Sequence, residues 1–160
     1  LDQAPYAVAL GSPIGVATNL DDLADAETRP MDDSDRLYLG THRLRFLVTP
    51  HVHQWDSMLA YDETTGTLFA ADLFISPPGD APVTDADDTE AMVARYQQIG
   101  MFASRPHLDA ALDKIEALAP RTLACHHGPV KVGHVDAYLG ALRAAEITGL
   151  TRWNPMRELA

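Results

Sequence analysis

Residues 58–71 read MLAYDETTGTLFAA and carry the clearest structural pattern in the chain. Two apolar runs, Met58–Asp62 and 67–71, flank a four-residue connection that contains a glycine. Apolar runs of this length joined by a short glycine-containing turn predict a β-hairpin. The neighbouring elements can be assigned outward from this hairpin.

Upstream of the hairpin, apolar side chains alternate along residues 44–48, which predicts a strand that stops at Pro50. The run Arg36–Leu39 before a glycine predicts another strand. Residues 8–16 suggest short strand-like pieces, and residues 20–26 suggest a helical turn.

Downstream, apolar residues recur at helical spacing over residues 88–102, Tyr96 among them, and again over 106–118. Pro106 can open the second helix, where a missing N–H is harmless. A short strand over 122–125 then precedes a last helix from Val135 to about Ile147. Strands, a hairpin, two helices, a strand and a helix in this order predict an α/β layered domain with mixed strand directions.

Composition narrows the class of protein. The 160 residues are enough for one domain, and 23 acidic against 12 basic residues give a net charge of −11. This charge argues against nucleic acid and against anionic membrane surfaces as partners.

The chain has neither an apolar run long enough to span a bilayer nor the pattern of a secretory signal. It starts at Leu1, which suggests a processed chain or a piece of a longer one, and its single cysteine fits a cytoplasmic protein.

Three polar residues share one position in the predicted elements, the end of a strand. His53 follows the strand that stops at Pro50, Asp72 closes the hairpin, and His127 ends the strand before Gly128. Strand ends present side chains to a crevice while rigid backbone holds them. Imidazole and carboxylate together suit iron, zinc or manganese, and a carboxylate can bridge two cations.

Three segments carry a family resemblance. Residues 49–58, TPHVHQWDSM, resemble a flavodiiron signature in which a Thr-Pro pair precedes a ligand histidine, a tryptophan and an Asp-Ser pair. Residues 68–74, LFAADLF, resemble the segment that carries the bridging aspartate of that family. Residues 123–129, LACHHGP, resemble its closing His-Gly-Pro segment. The likeness spans residues 30–145, so the chain resembles part of the diiron domain of flavodiiron proteins.

The resemblance implies a fold, a ligand set and cofactors. The fold would be a metallo-β-lactamase-like αββα sandwich, of which residues 1–160 form the C-terminal portion, with no flavodoxin domain in this chain. His53 would bind one metal, Asp72 would bridge two, and His127 would bind the second. The metals would be two iron ions, with zinc as the alternative, and a flavin from another domain or subunit would deliver electrons.

The chain also departs from the family. The first ligand group of flavodiiron proteins is a His-x-Glu-x-Asp-His run, which these residues lack, and residues 51–56 imitate it poorly. Three ligands cannot close two metal sites. The resemblance therefore implies that the remaining ligands come from a missing N-terminal half or another chain, and it implies a homo-oligomer.

Histidines beside the candidate ligands have two interpretations each. His51 could be an extra ligand, although a partly exposed structural role is favoured. His126 could touch the site, but support of a tautomer or packing is favoured. If strand alternation continues through residue 125, Cys125 shares the side of His127 and His126 points away. A buried, inert thiol remains the default for Cys125.

Other neighbours of the first ligand are assigned supporting roles. Asp56 and Ser57 are predicted to orient His53 or to cap its turn. Trp55 and Phe74 could wall the pocket and limit water, or could be ordinary core or interface aromatics.

Three functions remain open from the sequence. The first is an oxidoreductase or sensor of the flavodiiron type, which handles dioxygen or nitric oxide at two irons. The second is a zinc hydrolase of the metallo-β-lactamase fold. The third is a non-catalytic half-domain with an incomplete site. In the missing ligand run, glutamate at the third position would favour the first and histidine the second.

Overall fold

A computed structural model of the chain describes residues 4, 6–23, 26–77 and 81–149. The end of the predicted loop at 78–80 and the residues after 149 lie outside this range. The strands are β1 (Ala9–Gly11), β2 (Thr28–Pro30), β3 (Arg36–Leu39), β4 (His42–Val48), β5 (Met58–Asp62), β6 (Thr67–Phe69), β7 (Val83–Thr84), β8 (Thr122–Ala124) and β9 (Val130–Val132). The helices are α1 (Pro13–Gly15), a π-helical turn (Val16–Leu20), α2 (Asp21–Leu23), α3 (Thr89–Ile99), α4 (Arg105–Leu118) and α5 (Val135–Ala144).

Seven strands form one mixed sheet in the order β3-β4-β5-β6-β8-β9-β7. Neighbours from β3 to β6 are antiparallel, β6 and β8 are parallel, β8 and β9 are antiparallel, and β9 and β7 are parallel. The hairpin β5–β6 lies at the centre, and Gly66 closes its turn by donating to the Asp62 carbonyl at 2.8 Å. The predicted hairpin and the mixed strand directions are confirmed. A separate parallel pair, β1–β2, lies near the N-terminus.

One face of the sheet packs against the three long helices. On this face Leu68 pairs in register with Tyr61 on one side and Leu123 on the other, and these side chains are buried. They share a single core cluster with residues of α3, α4 and α5, among them Met92, Tyr96, Leu112, Ile115, Tyr138 and Leu142. Burial of this apolar surface is the main stabilising contribution to the domain.

The opposite face of the sheet is only partly covered by the described residues. In the centre of this face Phe69 pairs with Ala60 and Ala124, and it remains 48% exposed. Val132 and Val83, near the β7 edge, are also large exposed apolar residues. A central sheet position with an exposed aromatic is a surface that another layer can bury.

Several predicted boundaries differ from the structure. The second hairpin strand, predicted over 67–71, ends at Phe69, so Asp72 follows it by three residues instead of closing it. Residues 14–16 are helical, because Ser12 caps the turn by accepting from the Gly15 N–H at 3.1 Å and Pro13 begins it. The predicted strand over 122–125 ends at Ala124, and the last helix ends at Ala144, before the extended Ala145. None of the described helices is both long and apolar enough to cross a membrane.

Candidate metal centre

Sheet topology brings the three candidate ligands to one edge. Strands β6 and β8 run parallel with Phe69 opposite Ala124, and Asp72 and His127 each follow that pair by three residues. Strand β4 points the same way as β6, because both are antiparallel to β5. The loop that carries His53 therefore leaves the sheet at the edge where Asp72 and His127 lie.

Asp72 is the residue that the histidines share. His53 Nε2 lies 2.9 Å from Asp72 Oδ2. His127 Nε2 lies 3.6 Å from Asp72 Oδ1, and His126 Nδ1 lies 3.4 Å from the same oxygen. The structure thus brings His53, Asp72 and His127 together, and it adds His126.

The backbone of Asp72 is fixed by a buried phenol. The Tyr96 hydroxyl donates to the Asp72 carbonyl at 2.8 Å and accepts from the Ile75 N–H at 3.0 Å. Burial raises the pKa of Tyr96 well above its usual value, so the phenol remains a proton donor. Helical spacing alone identifies Tyr96 as a core residue. Its hydroxyl was the available signal that it needs a buried polar partner.

The His53 loop is held by its own polar side chains. Ser57 Oγ donates to the Val52 carbonyl at 2.7 Å, and the Thr49 N–H donates to the Ser57 carbonyl at 2.9 Å. Ser57 therefore caps the turn that carries His53, which is one of the two roles predicted for it. Asp56 has another task, because its Oδ2 accepts from Asn19 at 2.8 Å and connects the loop to the N-terminal segment.

The prediction that His126 points away from the site is wrong. Strand β8 ends at Ala124, so the alternation of a strand does not extend to the two histidines. The His126 N–H donates to the Ala71 carbonyl at 2.8 Å, which turns the chain toward the Asp72 loop. Cys125 is half-buried, and burial raises the pKa of its thiol, which agrees with an inert thiol.

The site opens into a cavity of about 1160 Å³. His53, Asp72 and His127 line it together with the apolar Ile75 and Met101 and helix α3. Such a mostly apolar cavity with a few convergent polar groups is typical of small-molecule sites.

Three aromatic rings near the candidate ligands do not line this cavity. Phe74 is fully buried in the core and Trp55 is 45% exposed outside the cavity, so the structure agrees with the second interpretation, ordinary core or interface aromatics, and not with pocket walls. His51 is exposed, and its ring meets that of His107 at a centroid distance of 4.6 Å. This placement agrees with a structural role for His51.

One polar atom of the site lacks a partner. Asp72 Oδ1 is buried and accepts no hydrogen bond within the described part of the chain, although imidazole nitrogens of His126 and His127 lie 3.4 and 3.6 Å from it. A buried carboxylate oxygen without a partner is costly, and a cation would satisfy it. The described residues contain no group of three or more His, Cys, Asp or Glu arranged to hold a metal ion by themselves. The imidazole and carboxylate donors fit a metal ion, but these residues alone do not complete its coordination.

Comparison with known proteins identifies the family. A family model described as ODP family β-lactamase matches residues 21–128. The chain belongs to this family. It is 35% identical over 109 residues to the protein named diflavin flavoprotein A 1 of Nostoc sp. strain PCC 7120, and the match covers 66% of this chain and 19% of that protein.

Solved structures confirm the fold of this ODP-family chain. The metal-soaked Flv1 flavodiiron core from Synechocystis sp. PCC6803 matches with a TM-score of 0.76 and 26% identity, over 89% of this chain and 37% of that one. Rubredoxin oxygen:oxidoreductase from Desulfovibrio gigas shares the fold, with a TM-score of 0.70 and 18% identity over 85% of this chain and 36% of that one. The flavodiiron resemblance and the metallo-β-lactamase-like fold are therefore confirmed. The chain spans 19% to 26% of the length of the curated relatives that it matches.

Proposed function

We propose that this chain supplies three ligands of a dinuclear iron site at which dioxygen or nitric oxide is reduced or sensed. His53 would hold one iron, Asp72 would bridge both through its two oxygens, and His127 would hold the second. The observation that carries the proposal is Asp72, whose Oδ2 lies against His53 and whose buried Oδ1 has no hydrogen-bond partner within the described residues. A carboxylate with one oxygen toward each imidazole has the arrangement that a bridge requires.

Other residues of the chain would orient the metal ligands and keep the cavity beside them apolar. When bound, the iron pair would supply electrons to the diatomic molecule and polarise it. Tyr96 holds the main chain of Asp72, so the bridging carboxylate keeps its direction. Ile75 and Met101 line the cavity beside the ligands and would limit water around a small apolar gas molecule.

We propose that the remaining ligands come from polypeptide outside these 160 residues. Three ligands leave each iron short of donors, and the chain corresponds to only 37% of the Flv1 flavodiiron core. The exposed sheet face around Phe69 supports this proposal, since a second sheet packed there would make a sandwich and approach the same edge. A flavin-bearing domain or subunit would supply electrons, and a homo-oligomer in the reducing cytoplasm is the expected setting.

Intact mass and metal analysis of the natively purified protein test this proposal. We expect about two irons per copy after growth in iron-replete medium, together with a longer chain or an associated polypeptide. Stoichiometric zinc without iron would contradict the diiron assignment and favour the zinc hydrolase. An intact 160-residue protein that holds no metal would favour the non-catalytic half-domain.

A further inference from the structure

A buried lysine lies directly behind the candidate site. The Lys131 side chain is 1% exposed and stands in strand β9 between two valines, on the face of the sheet that packs against the helices. A buried ammonium group is costly unless it is paired and hydrogen-bonded. Lys131 Nζ satisfies that requirement by donating to Ser76 Oγ at 2.7 Å and to Asp88 Oδ2 at 2.8 Å.

The Ser76 contact leads to the candidate ligand His127. Ser76 lines the same cavity as His127, and its N–H donates to the His127 carbonyl at 3.3 Å. Gly128 lies so close that a Cβ there would stand 2.8 Å from Ser76 Oγ and 2.7 Å from the Ser76 carbonyl oxygen. The position of Ser76 therefore sets the position of the turn that carries His127.

The same Lys131 ammonium group is also held by Asp88. Asp88 precedes α3, but its side chain does not cap that helix. Its carboxylate lies 2.6 Å from the Tyr138 hydroxyl of α5 as well as against Lys131, and the Lys131 ammonium lies 5.2 Å from the Tyr138 ring centre. Burial opposes ionisation of Asp88, but the hydrogen bonds from Lys131, Tyr138 and Ser76 outweigh it and lower its pKa. The lysine is thus anchored to the helical layer.

We infer that Lys131 is a positioning residue for the metal centre, which fixes the His127 turn through Ser76 while Asp88 and Tyr138 hold the ammonium group. This inference rests on the proposed role of His127 as a ligand. Loss of the ammonium group or of the Ser76 hydroxyl would let the turn move relative to Asp72. Partners that orient metal ligands typically change metal affinity by 10-fold to 100-fold when removed.

The test compares Lys131→Met and Ser76→Ala with the control Lys114→Met. The control removes an ammonium group that also bonds an aspartate and a carbonyl, Asp33 and Val48. Neither of these partners lines the site cavity, whereas the Lys131 partner Ser76 does. Two readouts are needed: nitrogen NMR spectra of the histidine rings in the metal-free protein, and Zn²⁺ affinity by calorimetry.

We expect the His127 ring signals to shift and the Zn²⁺ affinity to fall by about 10-fold to 100-fold in both site variants, with neither change in Lys114→Met. Ser76→Ala keeps the Lys131–Asp88 pair, so it decides the question if Lys131→Met does not fold. Unchanged His127 signals in folded Ser76→Ala would overturn the inference. If the natively purified wild-type protein, with the polypeptide that completes its site, binds no Zn²⁺, the proposed function fails, but the His127 signals of the metal-free protein still test the positioning role.

Discussion

His53 Nε2 and Asp72 Oδ2 lie 2.9 Å apart, although nineteen residues separate them along the chain. The contact joins the loop after β4 to the turn after β6, two strands that leave the sheet at the same edge. Both side chains are about one-quarter exposed, so they face the cavity rather than the core. This contact orients one carboxylate oxygen and leaves the other directed at the His126–His127 turn.

The two adjacent histidines give a matched pair of variants. The resemblance assigns the metal to His127, whereas His126 is slightly closer to Asp72 Oδ1 in the structure. We expect His127→Ala to lose about one metal per copy and His126→Ala to retain both, as measured by metal analysis of the natively purified proteins. The reverse result would transfer the ligand role to His126.

Gly128 should tolerate no side chain. Its φ is +92°, and an added Cβ would meet the backbone of Ser76 at 2.7 Å. We expect Gly128→Ala to lower the free energy of unfolding by about 3 kcal/mol or more, since backbone strain and a backbone clash add. Urea unfolding measures this change.

Gly40→Ala is the control for that substitution. Gly40 has a φ of +62° but open space around its Cβ position. The strain alone should cost about 1–2 kcal/mol. Equal losses at the two positions would mean that the close approach to Ser76 does not constrain the turn.

Tyr96→Phe should weaken both the fold and the site. It would leave the Asp72 carbonyl and the Ile75 N–H without their buried partner, which we expect to cost about 1–3 kcal/mol of unfolding free energy. Metal affinity should fall as well, because the Asp72 turn loses its anchor. Tyr61→Phe is a suitable control, since the Tyr61 hydroxyl donates to the Leu118 carbonyl and does not contact the Asp72 turn. A variant that loses stability but keeps wild-type metal affinity would separate Tyr96 from the site.

Asp62 should make stability depend on acid pH. Burial would raise the pKa of Asp62, but hydrogen bonds from His42, Thr65 and the Thr64 N–H outweigh it and hold this pKa well below its usual range. A carboxyl whose pKa is depressed by folding stabilises the protein above its unfolded pKa of about 3.9, and this contribution is lost as pH falls through the folded value.

Asp62→Asn tests this dependence. In urea unfolding over a pH series, the variant should be less stable than the wild type at neutral pH, and the gap should narrow only below about pH 4. A gap that stays constant down to the acid unfolding of both proteins would show that ionised Asp62 does not contribute.

The central sheet and its edge could be predicted from local pattern. The hairpin follows from turn chemistry and the helix over 106–118 from periodicity. Both are confirmed, and the helix begins at Arg105 with Pro106 as its second residue. His53, Asp72 and His127 were predicted as ligands because they follow predicted strands, and the structure brings these three residues together. The local rule failed at His126, because the strand stops at Ala124 and a backbone contact to Ala71 redirects the chain.

The supports behind the site could not be predicted in this way. Tyr96, Ser76 and Lys131 lie on three elements that meet only after the helices pack on the sheet. Their partners are far away in sequence, so neither periodicity nor turn residues indicate them. Besides the Tyr96 hydroxyl, a lysine between two valines of a strand is a local sign of a buried polar contact.

The metal content of Asp72→Ala is the sharpest test of the bridging role proposed for Asp72. The natively purified wild-type protein should hold two irons per copy. If Asp72 bridges them, the Asp72→Ala variant should lose both metals together. His53→Ala is the comparison, and it should mainly empty one position. Unchanged metal content in Asp72→Ala would contradict the assignment of Asp72 as the bridge and, with it, the site proposed for this chain.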